Sequence, residues 1–332
     1  MTQNKKKILM GLGAFFVVLF LFEIYLPKSF IKSDKVEYVL EKGTGANEIA
    51  NDLKRKGVIK NAQFFKFYVL VSLNYSKLQA GKYELSESMS VADIADKFAR
   101  GDIIKNKIII IEGWSIEDLT EYLESNKTFE QDDFYDALKK DYSGEFMFLK
   151  ERPKAVGYEG YIFPDTYYIS QETTTEDFLK IALSNFDKKM SDELRQEIKK
   201  QGKSIFKIVT MASMLEKEVK TIEDKKIVSG ILWKRIKEGI PLQVDATVNY
   251  ATGKSDEKVT IKDTKVDSLY NTYKYYGLPL GPISNPGLDS ILAAIYPEES
   301  PYWYYLSADG NGQTIFSKTL DEHNEARAKY FK

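Results

Sequence analysis

Glu216 is the residue whose placement most invites chemistry. In Ser204–Val219, read at about 100° per residue, Ile205, Ile208, Val209, Ala212 and Val219 form one apolar stripe, and Glu216 falls within it, about 20° from Ile205. Lys217 and Glu218 fall on the wet side, so Glu218 is expected at the solvated surface. A lone carboxylate on a buried stripe is kept protonated by desolvation, which is what a general acid requires. The same position also suits a buried Glu paired with a lysine or arginine in a purely structural role. Composition removes most other chemistry. The chain of 332 residues has no cysteine and one histidine, His323, which excludes disulfides, zinc–thiolate and iron–sulfur sites, a cysteine nucleophile and multi-histidine metal sites. No phosphate-binding glycine loop, H-E-x-x-H or G-x-S-x-G is present. Carboxylates, hydroxyls, amides and lysines remain, and no metal or cofactor is expected.

Three further clusters could line a cleft with Glu216. In Leu242–Tyr250, strand-like alternation would put Gln243, Asp245 and Thr247 on one side of an extended stretch; the alternative is a turn capped by Asp245. Tyr270-Asn271-Thr272-Tyr273 is a second polar–aromatic group. Gly277–Gly287 holds three of the nine prolines, and such a loop is stiff and able to bring backbone close to a ligand. Glu159-Gly160-Tyr161-Ile162-Phe163-Pro164-Asp165-Thr166-Tyr167 is another loop carrying two acids. His323, early in the last helix, suits a surface or helix-end role.

The elements that must position these residues read as an α+β chain. Residues 107–332 contain no low-complexity break and are taken as one mixed α+β domain, with a continuous buried strand at Ile108–Ile111 and a helix opening after Ser115. Residues 36–106 form a smaller unit: strand Val36–Leu40, helices Ala46–Lys56 and Ala62–Leu73, strand Gly81–Leu85, then a helix Val91–Arg100 started by Ser90 with Asp93 in the capping-box position. This β-α-α-β order resembles a LysM module, a fold that commonly binds N-acetylglucosamine polymers; sugar binding, spacing and partner docking all stay open for it.

The N-terminus sets the expected address. Residues 1–7 end in Lys5-Lys6-Lys7, and residues 8–26 carry Glu23 as their single charge. At about 1.5 Å per residue that run is roughly 28 Å of helix, a bilayer's hydrocarbon thickness. A cleaved signal peptide would end at an A-x-A-like site, and Glu23-Ile24-Tyr25-Leu26-Pro27 offers none. The reading is an uncleaved single-pass anchor at 8–26, a cytoplasmic tail at 1–7, a polar stalk at 27–35 and everything after it extracytoplasmic. A net charge of −1 gives no electrostatic case for nucleic acid.

Taken in order, Glu159–Tyr167, Ala212-Ser213-Met214-Leu215-Glu216-Lys217-Glu218, Leu242–Tyr250, Tyr270–Tyr273 and Gly277-Leu278-Pro279-Leu280-Gly281-Pro282-Ile283 resemble the endolytic murein transglycosylase family (MltG- or YceG-like) over nearly the whole chain. The chain departs from the family where a proline often follows the motif's aspartate; here Ala246 follows Asp245. The resemblance implies a lyase that cleaves the MurNAc-β-1,4-GlcNAc bond of peptidoglycan strands to leave 1,6-anhydro-MurNAc ends. It also implies that Glu216, the first Glu of A-S-x-x-E-K-E, is general acid and then base. Gln243, Asp245, Thr247, Tyr250, Asn271 and Glu159 are the candidates for holding the glycan, and association with wall-synthesis or division proteins is plausible. Two alternatives use the same residues: a hydrolytic muramidase with Asp245 or Glu159 as a second carboxylate, and a non-catalytic anchored glycan-binding scaffold.

Overall fold

A computed structural model describes residues 15, 18, 20–31, 34–72, 77–254, 258–307 and 313–330. The chain is α+β and divides into two compact units, Met1–Lys107 with Tyr168–Thr173, and Ile108–Tyr167 with Thr174–Lys332.

In the first unit β1 (Lys35–Leu40) pairs antiparallel with β2 (Gly81–Ser86), Lys35 opposite Ser86 and Leu40 opposite Gly81. Period-two alternation turns Tyr38, Leu40, Tyr83 and Leu85 into the core. Between the strands run α1 (Ala46–Arg55) and α2 (Ala62–Val71), giving the expected β-α-α-β order. The expected end of the second helix at Leu73 lies outside the described residues. Next, α3 (Val91–Arg100) starts at the reciprocal Ser90–Asp93 capping box and stops at Gly101 in the left-handed region. Its Phe98 ring stacks on Tyr38 at 5.6 Å and meets Tyr83 edge-on at 4.6 Å, closing the core over the sheet.

The expected tail 1–7 and most of the expected anchor 8–26 lie outside the described residues, although residues 20–25 are helical. Among the described residues no helix is long and apolar enough to cross a membrane. Where a polar stalk is expected, Lys28 and Ser29 are fastened to the unit. The Lys28 ammonium donates to the Gly57 carbonyl at 2.6 Å and the Glu87 carboxylate at 3.0 Å, and Ser29 N–H donates to the Glu87 carbonyl at 2.9 Å.

Entry to the second unit differs from expectation. Ile108 and Ile110 are buried, but Ile109 and Ile111 are 40% and 52% exposed, so the run alternates instead of being buried throughout. That is the pattern of a small sheet with one wet face, here β3 (Asn106–Ile109) with β4 (Thr166–Ile169). Helix α4 (Ile116–Ser125) opens at a second capping box, Ser115 with Asp118. Then come α5 (Gln131–Lys139), α6 (Thr175–Lys189), α7 (Asp192–Lys200), α8 (Ile205–Glu218), α9 (Ile222–Lys237), α10 (Asp245–Thr252) and α11 (Leu288–Ile295). A hairpin of β5 (Tyr304–Ser307) and β6 (Thr314–Ser317) and a last helix, α12 (Leu320–Tyr330), complete it.

Helix α8 is the hub. Every residue from Ile208 to Leu215 is 0% exposed, and α9 and α11 pack against it. Burial thus extends around the whole helix, wider than the stripe its apolar residues suggest. The two hydroxyls this encloses are satisfied locally: Thr210 donates to the Phe206 carbonyl at 2.8 Å and Ser213 to the Thr210 carbonyl at 2.8 Å.

Candidate active site

Glu216 sits in the last turn of α8, where the helix leaves the interior. A short turn follows, and Thr221 caps α9 by accepting from Asp224 N–H at 3.1 Å. That tight reversal swings Lys225, in the first turns of α9, back onto Glu216. Its ammonium donates to Glu216 Oε1 at 2.9 Å, with the two side chains 5% and 9% exposed. The other oxygen, Oε2, accepts from Gly287 N–H at 2.9 Å and the Ser290 hydroxyl at 2.7 Å. Gly287 is the N-cap of α11, so the carboxylate also faces the positive end of a helix. Glu216 is therefore not the lone carboxylate of the helical wheel. It is a carboxyl group held by three donors, two of them from elements far along the chain.

A neighbour that sequence reasoning passes over is Glu112. The Glu112 carboxylate fills the space beside Gly287: a Cβ there would lie 2.0 Å from Glu112 Oε1, so a side chain at 287 would have to displace it. Burial pushes the Glu112 carboxyl up, the charge of Glu216 adds to this, and Lys225 opposes it. The available signal was Glu112-Gly113-Trp114, an acid and a glycine at the end of an apolar strand.

Beside this group opens a cleft of about 720 Å³ whose wall includes Gly113, Trp114, Glu159, Lys217, Asn249 and Tyr250. Gly113 is the hinge between the two. It takes the left-handed conformation, and a Cβ on it would touch Glu216 Cγ at 3.5 Å. The Glu216 stem therefore lies behind Gly113, next to the cleft wall. The Gly277–Gly287 loop brings its backbone close to Glu216, through Gly287 N–H. Asn285 stitches it down: its amide group donates to the Trp114 carbonyl at 3.0 Å and to Glu159 at 3.3 Å, and its side-chain oxygen accepts from Ile162 N–H at 3.0 Å.

Of the residues expected to hold a ligand, Glu159 and Tyr250 line the cleft. Glu159 is buried, accepting from Ile116 N–H at 3.0 Å and the Tyr250 hydroxyl at 3.3 Å. Tyr250 packs its ring on Tyr270 at 4.9 Å. Gln243 and Asp245 are exposed. Gln243 holds a φ of 56°, unusual for a residue with a side chain, and Asp245 accepts from the Tyr273 hydroxyl at 2.5 Å. Thr247 and Asn271 need correction, since both are 0% exposed. The Thr247 hydroxyl donates to the Val244 carbonyl at 2.7 Å and meets the Thr272 hydroxyl at 2.9 Å. The Asn271 amide donates to the Thr264 and Val266 carbonyls at 3.0 and 2.8 Å. They brace the loops from inside. The physical reason for Thr247 is periodicity: helix α10 begins at Asp245, and at about 100° per residue Thr247 no longer shares a side with Asp245.

Glu218 is the second correction. Its carboxylate accepts from the Tyr305 hydroxyl at 3.0 Å, and the Ser307 hydroxyl donates to its carbonyl at 2.8 Å, so the C-terminal hairpin covers a residue expected in solvent. Burial pushes the Glu218 carboxyl up to about 7 and the Glu159 carboxyl up to about 8, in both cases against hydrogen bonds that favour the anion. The fold holds both protonated where the unfolded chain, near its ordinary value of 4.5, has ionised them. Their stabilisation is complete below about pH 4.5 and is lost as pH rises through about 7 and 8. The urea midpoint of the whole chain should fall between pH 5 and pH 8, and Glu159→Gln should flatten that fall. A midpoint that rises over this range would contradict the assignment.

The family model described as the YceG-like family matches residues 38–329. A Bacillus subtilis (strain 168) protein named endolytic murein transglycosylase is 36% identical, over 87% of this chain and 82% of its own. A Streptococcus pneumoniae (D39) protein of the same name is 27% identical over 97% of this chain; the chain spans 63% of that relative's length. The crystal structure of a yceG-like protein from Listeria monocytogenes superposes with a TM-score of 0.61 at 33% identity, covering 89% of this chain and 99% of that one.

Proposed function

The chain belongs to the YceG-like family and is a lytic transglycosylase of peptidoglycan, a lyase; we propose that Glu216 carries its acid–base chemistry. The observation that supports this most is the Glu216 carboxylate held by Lys225, Gly287 and Ser290, with its stem beside Gly113 of the cleft wall. Most glycosidases use two carboxylates on opposite sides of the bond, but a transglycosylase needs no activated water and can work with one. Glu216 protonates the oxygen bridging MurNAc C1 and GlcNAc C4, and the C1–O bond breaks. The MurNAc acetamido group stabilises the cationic centre. The MurNAc C6 hydroxyl then bonds to C1 and returns its proton to Glu216, leaving a 1,6-anhydro end. Atoms balance without water.

Lys225 positions the Glu216 carboxylate through its 2.9 Å contact with Oε1. Glu159 and Tyr250 line the cleft, and the exposed Gln243 and Asp245 are retained as candidate glycan contacts.

We propose further that residues 8–26 anchor the chain in the cell membrane with its catalytic unit outside, on the strength of Lys5–Lys7 and the apolar run that follows. The β-α-α-β order of the first unit supports reading it as LysM-like. The reaction type is tested by digesting un-crosslinked nascent glycan with the full chain in heavy-oxygen water and weighing the new ends. Anhydro ends without heavy oxygen are expected. Reducing ends carrying it would mean hydrolysis, with Glu159 or Asp245 as the second carboxylate.

A further inference from the structure

We propose that the outer face of α2, carrying Phe67, Leu70 and Val71, lies in the interfacial layer of the bilayer, so that the first unit is seated on the membrane; this rests on the reading of residues 8–26 as an anchor. Helix α2 is apolar on two faces. Ala62, Phe65 and Val69 point into the core, while Phe67, Leu70 and Val71 remain 49%, 66% and 61% exposed. Its neighbour α1, equally long, shows the ordinary arrangement, with Asn47, Glu48, Asn51, Lys54 and Arg55 outside. An apolar outer face on a surface helix calls for a cover.

Packing at the end of the apolar run indicates which one. The Phe20 ring lies 5.6 Å from Phe64 and 4.8 Å from Phe67, and Tyr25 meets Tyr68 at 6.2 Å. Ile24 between them is 1% exposed. The bonds from Lys28 and Ser29 to Gly57 and Glu87 leave no slack. Wherever residues 20–25 go, α2 goes with them. Phe20 precedes Leu26, the end of the run, by six residues, or about 9 Å of helix. Side chains that touch Phe20 from α2 then sit at that depth, close to the ~5–10 Å at which amphipathic helices lie in the interface. The Tyr25–Tyr68 pair falls where aromatic side chains favour the headgroup level.

The absence of native cysteine makes the test direct. The full chain is placed in phosphatidylcholine–phosphatidylglycerol vesicles as three single-cysteine variants: Leu70→Cys on α2, Val18→Cys in the apolar run, and Glu41→Cys on an exposed loop. Each is labelled with an environment-sensitive fluorophore and exposed to aqueous iodide or to lipid carrying a nitroxide. The label at 70 is expected to lose most of its iodide quenching and to be quenched from the lipid, like the label at 18 and opposite to that at 41. A label at 18 shielded by lipid with a label at 70 as open to iodide as that at 41 would refute the docking and leave the anchor standing. Iodide reaching the label at 18 would refute both. A label at 70 shielded from iodide but not reached by lipid nitroxide would replace the bilayer with a protein cover.

Discussion

A Glu216→Gln chain is expected to cleave nascent glycan roughly 10²–10⁴ times more slowly than the unaltered chain, the usual loss when a positioned general acid–base is removed. The variant should also be less stable, because it leaves the Lys225 ammonium enclosed without its carboxylate partner, which for a buried pair costs about 3–5 kcal/mol. The amide oxygen of Gln can still accept from Gly287 N–H and the Ser290 hydroxyl, which now bond Oε2. Its amide neither gives nor takes a proton, so no acid–base group remains at this position. Initial rates of strand shortening, with circular dichroism alongside, measure both parts. A rate within about tenfold of the unaltered chain would place the chemistry elsewhere.

The second large effect is on stability. Lys225→Met leaves Glu216 charged and enclosed without its partner, which for a buried pair costs about 3–5 kcal/mol. Removing both charges, as in Lys225→Met with Glu216→Gln, should return most of that loss, because replacing a buried pair is far cheaper than breaking it. The double variant is expected to be nearly as stable as the unaltered chain and inactive. Urea unfolding of the two single variants and the double one gives the coupling directly. If Lys225→Met costs less than about 1 kcal/mol, the pair behaves as a solvent-screened surface contact and does not fix Glu216.

What could be read from residue order alone follows from how local each feature is. The capping boxes at Ser90–Asp93 and Ser115–Asp118 involve residues three apart, and both form as expected. Tyr38, Leu40, Tyr83 and Leu85 turn inward because alternation is a property of the strand itself. Glu216 stood out because a helix keeps its own period. Its partners could not be seen in that way, since Gly287 and Ser290 are more than seventy positions distant and Lys225 meets it only through the turn between α8 and α9. Glu218 was misplaced for the same reason: its cover, Tyr305 and Ser307, is a hairpin that the wheel of α8 does not contain. Thr247 was lost to a wrong period, and Glu112 to a contact with a glycine that has no side chain to advertise it.

The most direct test of the account compares the full chain with Glu216→Gln on un-crosslinked nascent glycan, counting new strand ends by mass spectrometry. The account predicts 1,6-anhydro-MurNAc ends from the unaltered chain and almost none from the variant. Anhydro ends released by the variant at an undiminished rate would contradict the role of Glu216.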